Sequence, residues 1–344
     1  MAPALVAPEE PPHVKEVLKN GIDLETNGIK PVQKRQKLYI LPEFHPEAVK
    51  HTQELFDCVL HTDPEAANWR KSATTILIKD YYITDGDLAA APQLRVIGKH
   101  GVGLDKVDVE ACRTRGEKVC NTPGVNAGAV AEMTLALAMS VARSIPSICY
   151  RQIANGEVIR KETVQGVLLG GKTIGIVGMG NIGEVVGNMF WGAFGSPIIA
   201  YDPYYGTTRP WTYIPHRRVH SLDDLLEVSD VVNVHVPLTP GTTNLISLKE
   251  MRKMKRTAIL LNTARGGIVD EDDLIQALDE NLIYGAGFDS HVQEPPTKTK
   301  YECLWNHDRF VGTPHIAAAT DETQVATTNA ATDGVLHSLS ASDS

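Results

Sequence analysis

The run Gly178-Met179-Gly180-Asn181-Ile182-Gly183 could hold a pyrophosphate. It follows the apolar stretch Ile174-Gly175-Ile176-Val177 and opens a segment of helical periodicity. In that context Gly178, Gly180 and Gly183 supply a tight turn, a bare backbone beside phosphate, and close packing of helix on strand. Asn181 and Ile182 then fall in the first helical turn, where unpaired N–H groups and the positive end of the helix dipole face the anion. Asp202 ends the next apolar run, 19 residues beyond Gly183. A carboxylate there suits the adenosine ribose hydroxyls and repels a 2′-phosphate, so the pattern favours NAD over NADP. The following residues, Pro203 and Tyr204, bring no compensating cation. The plainer alternative is a ligand-free turn with Asp202 as a strand-end cap; four features in register speak against it.

Reduction of a 2-keto acid needs a cation for the carboxylate and carbonyl, a proton donor for the new hydroxyl, and a group that tunes the donor. Arg265 follows the apolar run AILLNTA and precedes Gly266-Gly267, which places it at the carboxyl edge where open α/β sheets bind ligands. Its planar fork binds carboxylates in bidentate fashion. His315 ends the run RFVGTP, and imidazole titrates near working pH. Glu294, in Gln293-Glu294-Pro295-Pro296, closes the loop after GFDS; paired with His315 it favours imidazolium and orients the ring. Taken singly, these residues read as a surface ion pair, a structural histidine and a solvated loop charge. Their joint placement at strand ends makes the case for chemistry.

The elements that must position them alternate short β-branched runs with helical patterns from about residue 38 to 315, the signature of parallel α/β architecture. A first series contains KLYILPE, CVLHT, TILIKD, LRVIGKH and KVCNT; a second contains TIGIVG, PIIAYD, VVNVHVP, AILLNTA, YGAGFDS and RFVGTPH. Between them, residues 125–145 form an apolar helical stretch whose first half carries Glu132 as its one charge, which demands burial on more than one side. Another helical pattern follows His315. At 344 residues, two domains are expected.

Composition narrows the partners. The formal net charge is −9 and no basic run stands out, so nucleic acid and anionic membrane are poor partners. No stretch approaches 18 apolar residues, and the Pro-rich first 33 residues lack the pattern of a secretory signal. Five cysteines (58, 112, 120, 149 and 303) are scattered without a C-x-x-C pair, which argues against a zinc site or disulfide frame and for a reducing, cytoplasmic setting.

Residues from about 98 to 320 resemble the D-isomer-specific 2-hydroxyacid dehydrogenase family, through GKHGVGLDKVD, NTPGVNAGAVAE, GKTIGIVGMGNIG, VNVHVPLTPGTTNLI, LLNTARGGIVDEDDLIQAL, GAGFDSHVQEPPT and TPHIAAAT. The resemblance implies two doubly wound parallel-sheet domains, a Rossmann cofactor domain (121–315) inserted into a flavodoxin-like substrate domain (34–120 and 316–344), after an extension over 1–33. It implies Arg265 as substrate-binding arginine, His315 as acid–base catalyst and Glu294 as its partner. It places Asp289 on the nicotinamide carboxamide, and His235-Val236-Pro237, Thr242, Asn262, Thr263 and Ala264 on the nicotinamide side. The amides of Val102 and Gly103 would hold the substrate carboxylate, and Lys79 falls where phosphoglycerate-specific relatives often carry arginine. A homodimer joined through the helix matching 125–145 is implied, and the regulatory C-terminal domains of some relatives are not expected.

There are departures. Lys106 stands where many relatives have asparagine, and Ala317-Ala318 replace glycines after the T-P-H turn. The expected activity is hydride transfer between NAD(H) and C2 of a small 2-hydroxy or 2-keto acid. A non-catalytic NAD sensor of corepressor type, or formate or phosphite oxidation, are the alternatives on this scaffold.

Overall fold

The computed structural model describes residues 35–206 and 211–341, so the extension expected over residues 1–33 lies outside the described residues. A first parallel sheet contains β1 (Lys37–Leu41), β2 (Asp57–Val59), β3 (Thr75–Ile78), β4 (Val96–Lys99) and β5 (Lys118–Cys120), in the order β2-β1-β3-β4-β5. That is the flavodoxin-like order. Both faces are covered, which is why these strands read as continuous apolar runs. Alternation along β1 sends Tyr39 and Leu41 into a core with Trp69, Ile76, Ile78 and Ile97. Leu38 and Ile40 go the other way, with Leu77 and Val96, to meet Ala331, Val335 and Leu339. Those last three belong to the C-terminal helix Asp321–Ser340. Gly98 on β4 lets that helix approach: a Cβ there would lie 2.7 Å from a Val335 methyl.

The second sheet contains β6 (Ile174–Val177), β7 (Ile198–Tyr201), β8 (His216–Arg218), β9 (Val231–Val234), β10 (Ile259–Asn262), β11 (Gly285–Phe288) and β12 (Phe310–Gly312). Its order, β12-β11-β10-β9-β6-β7-β8, is the doubly wound Rossmann arrangement with one further strand beside β11. The order reverses between β6 and β9, so the crevice for a ligand opens at their carboxyl ends. Strand β8 escapes the sequence reading because His216-Arg217-Arg218 is a three-residue polar edge strand with no apolar period.

The apolar helix Ala127–Ala142 buries eight of its residues. It rests on β11 through Gly285 and Gly287, where added Cβ atoms would come within 2.7 Å of Val141 and 3.1 Å of Leu137. Thr134 in the same helix reaches Thr263, just past β10, hydroxyl to hydroxyl at 3.0 Å. Among the described residues no single helix is long and apolar enough to cross a membrane.

Candidate active site

The glycine turn leaves β6 at the switch point. Gly178 has φ +102°, and a Cβ on it would lie 2.6 Å from the His235 carbonyl, so only glycine lets the ends of β6 and β9 meet this closely. Gly183 lets the helix Asn181–Phe194 close on the turn, since its Cβ would sit 2.3 Å from the Gly178 carbonyl. Gly180 is the N-cap of that helix and makes no side-chain cap bond; nothing lies within 4 Å of where its Cβ would be. The turn is therefore open above Gly180, with its first amides directed outward, as a pyrophosphate requires. Asn181 lies against Gly124, and Ile182 is half-buried beside it.

Asp202, at the end of β7, anchors the turn. Its Oδ2 accepts from the Met179 amide and its Oδ1 from the Tyr204 amide, both at 2.9 Å. Each oxygen keeps a lone pair for a ribose hydroxyl. The cation that local sequence lacked comes from β8: Arg218 Nη2 donates to the Asp202 carbonyl at 3.0 Å, with its guanidinium over the Tyr205 ring.

Past β9, the His235 amide donates to the Val177 carbonyl at 2.8 Å. Both ring nitrogens of His235 are buried without a hydrogen-bond partner, and burial pushes the ring's pKa down to about 3, so it stays neutral. Orphaned polar atoms at the lip of the crevice fit a site that takes a polar ligand. Val236 is half-buried and Pro237 exposed. Thr242 closes the turn by donating to the Pro237 carbonyl at 2.6 Å.

Past β10, Asn262 clips the loop by donating to the Arg265 carbonyl at 2.9 Å and accepting from the Ala264 amide at 3.1 Å. Thr263 and Ala264 are buried beneath it. Arg265 points to the first sheet. Its Nε donates to Asp105 Oδ1 at 3.0 Å and its Nη1 to the Ala264 carbonyl at 2.7 Å. Its Nη2 lies 1.8 Å from where a Cβ on Gly103 would be, so the guanidinium rests on the backbone of the Val102-Gly103 turn. Asn121 steadies that turn by donating to the Val102 carbonyl at 2.7 Å.

Past β12, His315 sits at φ +57°, a sparsely populated region for a residue with a side chain. Its amide donates to the Asp289 carbonyl at 2.7 Å. The Asp289 carboxylate, fully buried, accepts from the Thr313 hydroxyl and the amides of Ile316 and Ala317 at 2.6 to 2.9 Å. Asp289 thus braces the turn that presents the imidazole, and Oδ2, with one donor, keeps capacity for a second. His315 Nδ1 meets Glu294 Oε1 at 2.8 Å. Burial raises the Glu294 carboxyl pKa, but the hydrogen bond and charge of His315 outweigh it, and the net shift is downward.

The first sheet contributes charge to the same cleft. Lys99 at the end of β4 is almost buried and donates to the His100 carbonyl at 2.7 Å; burial first, and then the neighbouring Arg265 and Lys106, bring it down to about 8. Lys106 pairs with Asp80 at 2.9 Å. Lys79 Nζ donates to Gln324 Oε1 at 3.5 Å. The structure thus brings Arg265 onto the Val102-Gly103 turn and His315 onto Glu294, with the Arg265 and Glu294 loops in contact through Gly266, while Lys79 meets Gln324. Asp105 and Lys99 lie within GKHGVGLDKVD, yet their own residues announce no role, because each acquires its place beside Arg265 through contacts distant in sequence. Among the described residues no cluster of His, Cys, Asp and Glu is arranged for a metal ion, and none of the five cysteines is in a disulfide.

The sequence model of the D-isomer specific 2-hydroxyacid dehydrogenase family, NAD binding domain, matches residues 135–317. The chain belongs to that family. It is 40% identical to a hydroxypyruvate reductase of Thermotoga maritima, over 70% of this chain and 76% of that protein. It is 36% identical to a D-3-phosphoglycerate dehydrogenase of Methanocaldococcus jannaschii over 84% of this chain, but spans only 55% of that relative's length. Among solved structures it is similar to the D-lactate dehydrogenase of Aquifex aeolicus complexed with NAD and lactic acid, with TM-score 0.76 and 26% identity, covering 90% of this chain and 96% of that one. The family acts as NAD-dependent oxidoreductases of 2-hydroxy and 2-keto acids, and the open turn over Gly180 with Asp202 at its side fits the NAD that this domain binds.

Proposed function

We propose that the protein reduces a small 2-keto acid to the D-2-hydroxy acid, and oxidises it in reverse, with Arg265, His315 and Glu294 as the working residues. The observation that carries this reading is the His315–Glu294 bond of 2.8 Å in the cleft where Arg265 rests on Gly103. Arg265 Nη2 and the amides of Val102 and Gly103 hold the substrate carboxylate, and the guanidinium charge polarises the carbonyl oxygen. When bound along the glycine turn, NADH supplies the hydride that reduces C2. His315, with Nδ1 on Glu294, presents Nε2 to the carbonyl oxygen and gives it the proton; in reverse the neutral ring takes the hydroxyl proton. Glu294 holds the ring in one orientation through Nδ1. Asp289, whose Oδ2 keeps an acceptor site, lies within the nicotinamide-side assembly with His235, Val236, Pro237, Thr242, Thr263 and Ala264.

The same reading assigns residues 34–120 and 316–344 to the substrate domain and 121–315 to the cofactor domain. A homodimer is supported by the helix Ile145–Ala154, which buries none of its residues and exposes Ile145, Tyr150 and Ile153. Light scattering on the purified protein tests it. Turnover of NADH with glyoxylate, hydroxypyruvate, phosphohydroxypyruvate and bulkier 2-keto acids tests the activity and ranks substrates. NADH binding without turnover of any of them would replace the enzyme reading with that of a nucleotide sensor.

A further inference from the structure

The loop after β11 carries a buried histidine, His291, that the reaction itself does not use. Its backbone and ring touch each of the three loops that bear the working residues. Its amide donates to Glu294 Oε1 at 3.3 Å, the oxygen that also holds His315. Its ring Nε2 bonds the Thr313 carbonyl at 3.2 Å, and that carbonyl also accepts from the His315 amide. A bond to a carbonyl requires the proton on Nε2, which fixes the tautomer. On the third side, a Cβ on Gly266 would lie 2.1 Å from the His291 carbonyl, so the residue after Arg265 packs directly on this backbone.

The loop itself is clamped from below. The Val292 amide donates to buried Glu271 at 2.8 Å, and the Gln293 amide to the Tyr301 hydroxyl at 2.9 Å. Tyr301 in turn donates to Glu271 Oε2 at 3.0 Å. The His291 ring stands edge-on to Tyr301, centroids 4.8 Å apart, and Gly312 leaves space for its Cε1. A plain aromatic would fill this space; only a donor at the Nε2 position would also tie the Thr313 carbonyl.

We propose that His291 is the positioning residue that sets Glu294, His315 and Arg265 against one another, its ring N–H holding the His315 turn to the Glu294 loop. The kinetic consequence rests on the dehydrogenase reading above; the geometric one does not. The test compares His291→Phe, which keeps an aromatic ring and loses the donor, with His291→Gln, whose amide nitrogen reaches as far as Nε2. Steady-state NADH oxidation with the best keto acid is followed together with the proton NMR resonance of His315 Nδ1–H in the cofactor-free protein. The charges facing the pair from the first sheet, Asp80 and Lys106, are unchanged in both variants.

The expected result for His291→Phe is a kcat lower by roughly three- to tenfold, the equivalent of one hydrogen bond, with KM for NADH unchanged. The downfield resonance of the His315 Nδ1 proton, set by the bond to Glu294, moves upfield because Glu294 no longer holds the ring in register, and His291→Gln restores both. Should His291→Phe unfold, His291→Asn, whose amide stops short of Thr313, takes its place. Wild-type kcat and an unmoved resonance in the variant lacking the donor would overturn the proposal. So would equal loss in both variants with an unmoved resonance, which would mark His291 as packing alone. A wild-type protein without turnover would defeat the dehydrogenase reading, and the resonance would still decide this one.

Discussion

Gly266→Ala is the sharpest single perturbation of this site, because it adds one methyl group where three loops converge. The added Cβ would lie 2.1 Å from the carbonyl carbon and oxygen of His291 and 2.3 Å from the Val292 nitrogen. All three are backbone atoms in a clamped loop, so no side chain can swing away. Restoring an ordinary contact of 3.4 Å requires the Arg265 loop and the Glu294 loop to part by about 1.3 Å. Displacement of about 1 Å at a reacting centre costs on the order of a hundredfold in rate. Overpacking of this kind costs about 1 to 3 kcal/mol of stability, which in a chain of two domains is a drop in Tm of several degrees. The assay is the loss of nicotinamide absorbance with a keto acid, alongside a thermal melt and NADH titration by fluorescence. The expected outcome is kcat/KM for the keto acid lower by about two orders of magnitude, with NADH affinity within a few-fold of wild type. Gly180→Ala is the control: its Cβ meets nothing within 4 Å of protein, so Tm holds while NADH affinity falls. Wild-type kcat/KM in Gly266→Ala would show that the two loops need not keep their spacing, and would refute the reasoning.

Other perturbations separate the roles. His315→Asn removes the proton donor and is expected to lower kcat by about 10² to 10⁴-fold, measured in both directions of the reaction. Arg265→Gln, losing charge and fork together, is expected to raise KM for the keto acid and to lower kcat, while NADH binding by titration stays as it was. Asp202→Ala removes the carboxylate that repels a 2′-phosphate and leaves Arg218 beside the pocket. The ratio of kcat/KM for NADPH to that for NADH should then rise by about tenfold, an amount set by one charge contact of about 1.4 kcal/mol. Burial keeps His235 neutral in the fold down to about pH 3, whereas in the unfolded chain it takes a proton near 6.5. The unfolded state therefore binds more protons between those values, and stability contributed by the neutral ring is lost as pH falls through that window. Urea melts of His235→Phe should show a shallower decline in stability over that range than the wild type; parallel curves would exclude the effect.

The parts of this site that could be read from sequence are those encoded by local pattern. GMGNIG after an apolar strand, an aspartate at the end of the next strand, and R-G-G, Q-E-P-P and T-P-H at strand ends each announce a turn by their own residues. The parallel sheets were legible for the same reason, since strands buried on both faces must be apolar throughout. Strand β8 was not, because an edge strand of His216, Arg217 and Arg218 has no face to bury. Asp105 gave no sign either: it meets Arg265 across 160 positions of chain. Asp289 carries more than the motif announces, since its carboxylate also takes three donors of the His315 turn while Oδ2 keeps one acceptor site. His291 looks like one more polar residue of the Asp289–Glu294 loop until Glu271, Tyr301 and Thr313 are seen around it.

The bond between Arg265 and Asp105 has a further meaning for ligand entry. A long, flexible guanidinium has here surrendered its rotamers before any acid arrives, one edge held by an aspartate of the first sheet and Nη1 by the Ala264 carbonyl. An incoming oxyanion meets a receptor already aimed, so little ordering is left to subtract from its affinity. The same tether runs from one sheet to the other, and any swing that opened the cleft would have to break it, coupling the width of the doorway to the grip of the hand inside.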